Sequence, residues 1–313
     1  MEKSWNEISR REATKWISLG ASSLLVAPFF NAQKNKTLAL MNTRKVISSG
    51  KMLPVIGLGT WQSFDVGENP TERNPLKEVL KILIEHGGSV IDSSPMYGNS
   101  EKVVGELTAE LEIKNKIFEA TKVWTRGQAE GIDQMHTSMN LMGANPMDLM
   151  QIHNLVDWKT HLNTLQKWKE EGKVRNIGIT HYHQGGYAEM EKIMKTEKID
   201  FIQINYNLAV RDAAKRILPL AKDKGIAVMI NRPYEGGLLF EKMKGKEIPT
   251  WAKEFEAESW GQIFLKFILA HPAVHCVIPG TSKAKHMNDN VQAGFGKYPN
   301  QELQKRLVGL IEK

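Results

Sequence analysis

The 313-residue sequence predicts an α/β fold, a (β/α)8 TIM barrel preceded by an N-terminal β-hairpin. Three observations carry this expectation. Short apolar runs alternate with stretches whose apolar residues recur every three or four positions, the pattern of parallel βαβ units. Eight such runs are present, which favours closure into a barrel. No G-x-G-x-x-G follows the first run, so the competing doubly wound dinucleotide sheet lacks its opening turn.

Taken in order, Arg44 to Ile47 and Lys51 to Val55 flank Ser48-Ser49-Gly50, a hairpin with turn residues at its tip, suited to plug one end of a barrel. The eight strands are expected at Val55 to Trp61, Val90 to Ser94, Ile117 to Trp124, Leu149 to Asn154, Ile177 to Tyr182, Phe201 to Leu208, Ala227 to Pro233 and Cys276 to Thr281. Helical patterns run over Leu76 to His86, His161 to Glu171, Ala213 to Lys224 and Leu303 to Ile311. Successive strand ends at Asp92, Lys122, His153 and Thr180 are 30, 31 and 27 residues apart, as a repeated βα unit requires. Gly236 to Trp260 is long for a βα connection and is expected to cover part of the mouth.

The first residues differ in character. Ser9-Arg10-Arg11 is followed by Lys15 and by the uncharged stretch Trp16 to Phe30, which ends near Asn31-Ala32-Gln33. This is the pattern of a twin-arginine export signal over residues 1–32, ahead of a single barrel domain over 44–313. It implies the twin-arginine export machinery as a partner and a periplasmic or otherwise exported location. An ordinary amphipathic N-terminal helix, with a cytoplasmic protein, is the alternative. Fifteen uncharged residues fall short of the about 20 a bilayer span needs, so no stable span is expected in the mature chain, with an uncleaved anchor as the alternative because the site before Gln33 is a poor small-x-small match.

The formal net charge of +7 is scattered over lysines such as Lys114, Lys116, Lys242, Lys244 and Lys246 without interleaved aromatics, which speaks against nucleic-acid recognition. Cys276 is the only cysteine, so no intrachain disulfide can form, and its apolar setting indicates a buried thiol rather than a nucleophile.

Asp92, Lys122 and His153 end three successive strands, and that end of a barrel is where its chemistry sits. Tyr97 follows Asp92 by five residues, in a loop marked by Pro95 and Gly98 that turns the phenol back over the mouth. A phenol of pKa near 10 is a weak acid; a neighbouring ammonium stabilises its phenolate, and a carboxylate keeps that ammonium charged. Lys122 and Asp92 suit these roles, and His153 suits a hydrogen bond to a substrate carbonyl. Each has an ordinary alternative: Asp92 as a helix cap, Lys122 as a solvated strand end, Tyr97 as a packed loop aromatic, His153 as a satisfied core histidine. Their joint appearance at matched strand ends argues against all four. His181-Tyr182-His183, with His153 one strand away, raises the separate possibility of a metal-dependent barrel hydrolase.

Gly57-Leu58-Gly59-Thr60-Trp61, Ile91 to Glu101, Ala120-Thr121-Lys122, Leu149 to His153, Gly172 to Gly178, and Ile278-Pro279-Gly280-Thr281 with Asn290 resemble the aldo-keto reductase superfamily over nearly all of Arg44 to Lys313. The resemblance implies reversible hydride transfer from NADPH to a carbonyl carbon of an aldehyde, ketone or sugar, with Tyr97 the proton donor, tuned by Lys122 and Asp92, and His153 orienting the substrate. It places Thr60 and Trp61 against the cofactor, Thr180, His181 and Gln203 at the nicotinamide carboxamide, and Asn231 and Arg232 beside the ring and pyrophosphate. Gly280, Thr281, Ser282, His286, Asp289 and Asn290 fall at the adenosine end, and no metal is implied. Trp61, Trp124 and Tyr182 are expected to wall an open substrate pocket, because the superfamily's C-terminal substrate loop is short or absent beyond Leu310.

This chain departs from the pattern at His181, where many relatives carry Asn, at Asn231, where they carry a stacking aromatic, and at His286, where they carry Arg. Histidine is a weaker and pH-dependent partner for a 2′-phosphate, which leaves NADH possible beside NADPH unless Lys283 or Lys285 supplies the charge. A non-catalytic NADPH-binding sensor or partner subunit is the other reading. Export would require the cofactor to be loaded before translocation, since NADPH is made inside the cell.

Overall fold

The computed structural model describes residues 40–312, and the segment read as an export signal lies outside the described residues. Strands β1 (Thr43–Lys45) and β2 (Met52–Pro54) pair antiparallel, and Gly50, at φ 71, turns the chain between them. The barrel strands follow in chain order as parallel neighbours: β3 (Leu58–Gly59), β4 (Val90–Asp92), β5 (Phe118–Val123), β6 (Met147–His153), β7 (Val174–Thr180), β8 (Phe201–Asn205), β9 (Ala227–Asn231) and β10 (Val274–Val277). Parallel bridges between Ile56 and Val277 and between Gly59 and Gly280 bring the first strand to the last and close the ring. The short β3 fits this seam because it is glycine-flanked. A Cβ on Gly57 would meet Val90 Cβ at 2.8 Å and its carbonyl oxygen at 2.9 Å, and one on Gly59 would meet the Ile278 carbonyl oxygen at 2.9 Å.

Period-two alternation sorts each strand into an inward and an outward row. Inward positions read Val90-Asp92, Phe118-Ala120-Lys122, Leu149-Gln151-His153, Phe201-Gln203 and Ala227-Met229-Asn231: apolar at the N-terminal end and polar at the C-terminal end. The apolar inward residues form one cluster with Val46 and Leu53 of the hairpin. The hairpin is therefore the plug the sequence predicts. Arg44 fastens it by donating to the carbonyl oxygens of Leu269, His271 and Val274.

The outward rows pack under the helices in a second, larger cluster. Helix α1 (Pro70–Glu85) starts six residues before the apolar pattern predicts. Its entry is fixed by Asn69, whose side chain accepts from the Thr71 N–H, and by Pro70 at the first helical position. Pro75 masks this start in the sequence. The expected helix from Ala213 is split: a 3-10 turn over Asp212–Lys215, a break at Arg216 (φ −140, ψ −48), then a helix over Ile217–Lys224. Only the start of the long connection after β9 lines the mouth, through Gly236 and Gly237. Further along, Leu239, Met243, Ala252 and Phe255 pack into the outer core. Cys276 is buried in the barrel interior, where burial pushes its thiol up, out of nucleophilic range. Among the described residues no helix is long and apolar enough to cross a membrane.

Candidate active site

A cleft of about 710 Å³ opens at the C-terminal ends of the strands. Asp92, Tyr97 and His153 line it, and Lys122 lies fully buried beneath. The Lys122 ammonium donates to Asp92 Oδ2 at 2.7 Å and to the Ser93 carbonyl at 2.5 Å. It also sits 4.9 Å from the centre of the Tyr97 ring. Burial disfavours the lysine's charge, yet Asp92 and then Tyr97 outweigh it and hold the ammonium above its ordinary pKa. The phenol of Tyr97 behaves differently from the expectation of a lowered pKa. Burial pushes it up, Lys122 pulls it down, Asp92 adds to the rise, and the net value stays above the ordinary one. Tyr97 is thus a protonated phenol over a permanent cation: a donor whose conjugate base has its counter-charge in place.

The loop that carries Tyr97 is built to return. Tyr97 N–H bonds to the Ser94 carbonyl at 3.0 Å, Gly98 takes φ 57, and Asn99 N–H is anchored by Asp65 Oδ1 at 2.8 Å. His153 meets Tyr97 edge to face, with ring centres 5.8 Å apart. Its Nδ1 lies 2.9 Å from Ser94 Oγ, which leaves Nε2 as the nitrogen free for a substrate. Burial, then the charge of Lys122 and the ring of His181, depress its pKa to about 2, so the imidazole is neutral.

Two residues of this network were not singled out from the sequence. Gln151 Nε2 donates to Asp92 Oδ1 at 3.0 Å, and Ser94 holds His153. Gln151 precedes His153 by two on the same strand and so shares its inward face, which is the signal that would have found it.

The structure brings Thr60, Trp61, Thr180, Gln203, Asn231, Arg232 and Gly280 to the cleft. Thr60 Oγ1 lies 2.9 Å from Ser93 Oγ and 3.0 Å from the Asp92 carbonyl. Gln203 is fully occupied: Nε2 donates to Asp92 Oδ1 at 2.8 Å, and Oε1 accepts from Thr180 Oγ1 at 3.1 Å and Asn231 Nδ2 at 3.4 Å. Arg232, at φ 48, pairs with Glu235 at 2.7 Å. Among the described residues, Asn154 Oδ1 and Asn231 Oδ1 are buried in the cleft wall without a hydrogen-bond partner. Trp61, Trp124 and Tyr182 stand about half exposed around the mouth, where they form an apolar wall.

His181, Thr281, Ser282, His286, Asp289 and Asn290 do not line the cleft. Asp289 accepts from Ser259 at 2.6 Å and from Gln262 at 2.7 Å, and Asn290 accepts from the Tyr234 hydroxyl at 2.5 Å. The Asp289 bonds clasp the helix over Ala284–Gln292 to the one over Trp260–Leu269, and the Asn290 bond ties it to the connection after β9. Thr281 Oγ1 caps Lys283 N–H at 3.1 Å, with His286 Nδ1 at 3.5 Å. His181 and His183 spend ring nitrogens on backbone N–H groups of His183 and Gly185. Among the described residues no three His, Cys, Asp or Glu side chains group to hold a metal ion, which removes the geometric support for a metal-dependent hydrolase.

The model of the aldo/keto reductase family matches residues 55–306. The chain belongs to the aldo/keto reductase family. Membership makes it an oxidoreductase of the nicotinamide-dependent type. Its curated relatives include the methylglyoxal reductase YeaE of Escherichia coli, 25% identical over 258 residues that span 80% of this chain and 89% of the relative. Another is the NADH-specific methylglyoxal reductase of the same bacterium, 27% identical over 63% of this chain and 69% of the relative. Among solved structures, an aldo-keto reductase from Klebsiella pneumoniae in complex with NADPH shares the fold with a TM-score of 0.72, at 23% identity, covering 86% of this chain and 94% of its own.

Proposed function

We propose that this aldo/keto reductase reduces a carbonyl compound at the expense of NADPH, with Tyr97 as the proton donor. The observation that carries the reading is the buried Lys122–Asp92 pair beneath the Tyr97 ring. The bound nicotinamide dinucleotide would supply the hydride. The cleft fits such a group: it has the volume, an apolar rim, and an orphaned acceptor in Asn231 Oδ1 on its wall. Thr60, Thr180 and Asn231 would hold its ring end, and Arg232 its phosphates once drawn from Glu235.

The side chains divide the proton work. His153, neutral and held through Nδ1, presents Nε2 to the substrate oxygen and fixes the carbonyl. Tyr97 gives its proton to that oxygen as negative charge develops there. Lys122 stabilises the phenolate left behind, and Asp92, gripped by Gln151 and Gln203, keeps the lysine charged and in place. The proton returns to Tyr97 from solvent through the open mouth.

The choice of NADPH rests on the exposed Lys283 and Lys285 beside His286. Burial and these two lysines hold His286 below its ordinary pKa, so it is uncharged near neutrality and phosphate recognition falls to the lysines. For substrates, aldehydes, ketones and sugars all suit an aromatic rim; the names of the relatives make small α-oxoaldehydes the first to test.

Following NADPH oxidation and nucleotide fluorescence for wild type and Tyr97→Phe tests the reading. Both should bind NADPH, and only wild type should turn over carbonyls. Binding without turnover by wild type across a broad carbonyl panel would shift the protein to a cofactor sensor, and no binding would overturn the reductase reading.

A further inference from the structure

A chain of directed hydrogen bonds runs from Asp92 to Asn231 and fixes which way the last amide faces. Asp92 as a carboxylate can only accept, so Gln203 turns Nε2 toward Oδ1, at 2.8 Å. That orientation sets Gln203 Oε1 toward Thr180 and Asn231. Asn231 therefore presents Nδ2 inward, where it meets two acceptors, Gln203 Oε1 at 3.4 Å and the His181 carbonyl at 3.3 Å. Turning the amide over would press Oδ1 against both of those oxygens, so the oxygen and nitrogen of Asn231 are distinguished by their surroundings. The outcome is a carbonyl oxygen, on a residue of the cleft wall, that is buried and without a partner among the described residues. A buried acceptor left unpaired is destabilising, and its persistence at a site wall calls for a ligand donor.

We propose that Asn231 Oδ1 accepts an N–H of the primary amide carried by the nicotinamide ring, so that Asp92 sets the cofactor amide through Gln203 and Asn231. This rests on the reading of the cleft as a nicotinamide site. Two features make Asn231 the acceptor rather than its neighbours. Gln203 has both lone pairs of its oxygen engaged, by Thr180 and by Asn231. Thr180 spends its hydroxyl proton on Gln203. The carboxylate thereby serves two ends of the site, the ammonium below Tyr97 and, through two amides, the acceptor for the cofactor.

The test compares dissociation constants, read from tryptophan fluorescence, for NADP+ and for its 3-acetylpyridine analogue. The analogue keeps the carbonyl oxygen but replaces the amide NH2 by a methyl group, so it cannot donate. Wild type should bind NADP+ about tenfold more tightly than the analogue, the scale of one hydrogen bond to a buried acceptor. In Asn231→Leu, and in Asn231→Ala as a smaller replacement should the leucine variant fail to fold, the preference should vanish. Equal affinities in wild type would mean that the cofactor amide does not donate to Oδ1, and the inference falls. A tenfold preference that survives in both variants would assign the amide to another acceptor, and it falls again. Binding of neither dinucleotide to wild type would overturn the cofactor reading itself.

Discussion

Replacing Lys122 by Met isolates the ion pair at the centre of the site. The substitution keeps an unbranched side chain, one atom shorter, and removes its charge, leaving Asp92, itself buried, without a counter-ion. Breaking one side of a buried pair costs roughly 3–5 kcal/mol, because the remaining charge stays desolvated. Asp92 retains two amide donors, Gln151 at 3.0 Å and Gln203 at 2.8 Å, which places the expected loss at the low end, about 3 kcal/mol. For a domain of this size that is a fall in Tm of roughly 6–9 °C.

The sign with pH is defined. A buried carboxylate that has lost its cation has a folded-state pKa above its unfolded value of about 3.9, so folding is favoured by protonation. The deficit relative to wild type should therefore be full at pH 7 and shrink as the pH falls toward 4. Thermal unfolding followed by circular dichroism between pH 4 and 8 reads both effects. Asp92→Asn in the same chain removes the stranded charge while keeping an acceptor for the two glutamines, and should recover at least half of the stability but none of the activity. A loss under about 1 kcal/mol at pH 7, or one unchanged across the pH range, would refute the dry pair inferred here.

Three further outcomes follow from the same geometry. His153 is held neutral down to a pKa of about 2, against 6.5 when unfolded, so its share of stability is present above pH 6.5 and is lost as the pH falls below it, at about 1.4 kcal/mol per unit; urea unfolding at pH 7 and pH 5 should show His153→Gln losing roughly 2 kcal/mol less than wild type over that interval. Arg44→Leu strands the three carbonyls at Leu269, His271 and Val274 and should cost about 2–4 kcal/mol in urea without changing the affinity for NADPH, whereas a matching loss of affinity would show that the plug and the cleft are coupled. We propose export from the Arg10-Arg11 pattern, so wild type should fractionate outside the cytoplasm with bound nucleotide and a variant with lysine at both positions should stay inside; wild type retained in the cytoplasm would end that reading.

The catalytic side chains were legible because chemistry and topology coincide in them. Asp92 and His153 end strands and Lys122 lies one residue from a strand end, and a charged residue closing an apolar run stands out. The closure of the barrel was legible in the count of eight apolar runs, whereas the part played by Gly57 and Gly59, whose missing side chains let the first strand pack closely at the seam, shows only in the folded chain. Gln151 was not, because a neutral amide inside a buried run has no periodicity of its own and only its offset of two from His153 gives it away. Gln203 was read as a cofactor contact, yet Asp92 claims its donor; which partner an amide takes depends on neighbours more than a hundred residues distant in sequence. Asp289 and Asn290 show the same limit, since Ser259, Gln262 and Tyr234 engage them from other elements. The helix starting at Pro70 was hidden by Pro75, and the break at Arg216 by an apolar pattern that runs straight through it.

Val46 and Leu53 close the lower end of the barrel together with the apolar inward side chains packed above them, and the cleft among the described residues opens at the opposite end. None of the hairpin residues lines the cleft. By filling the bottom of the barrel, they leave the polar strand ends opposite as the working face.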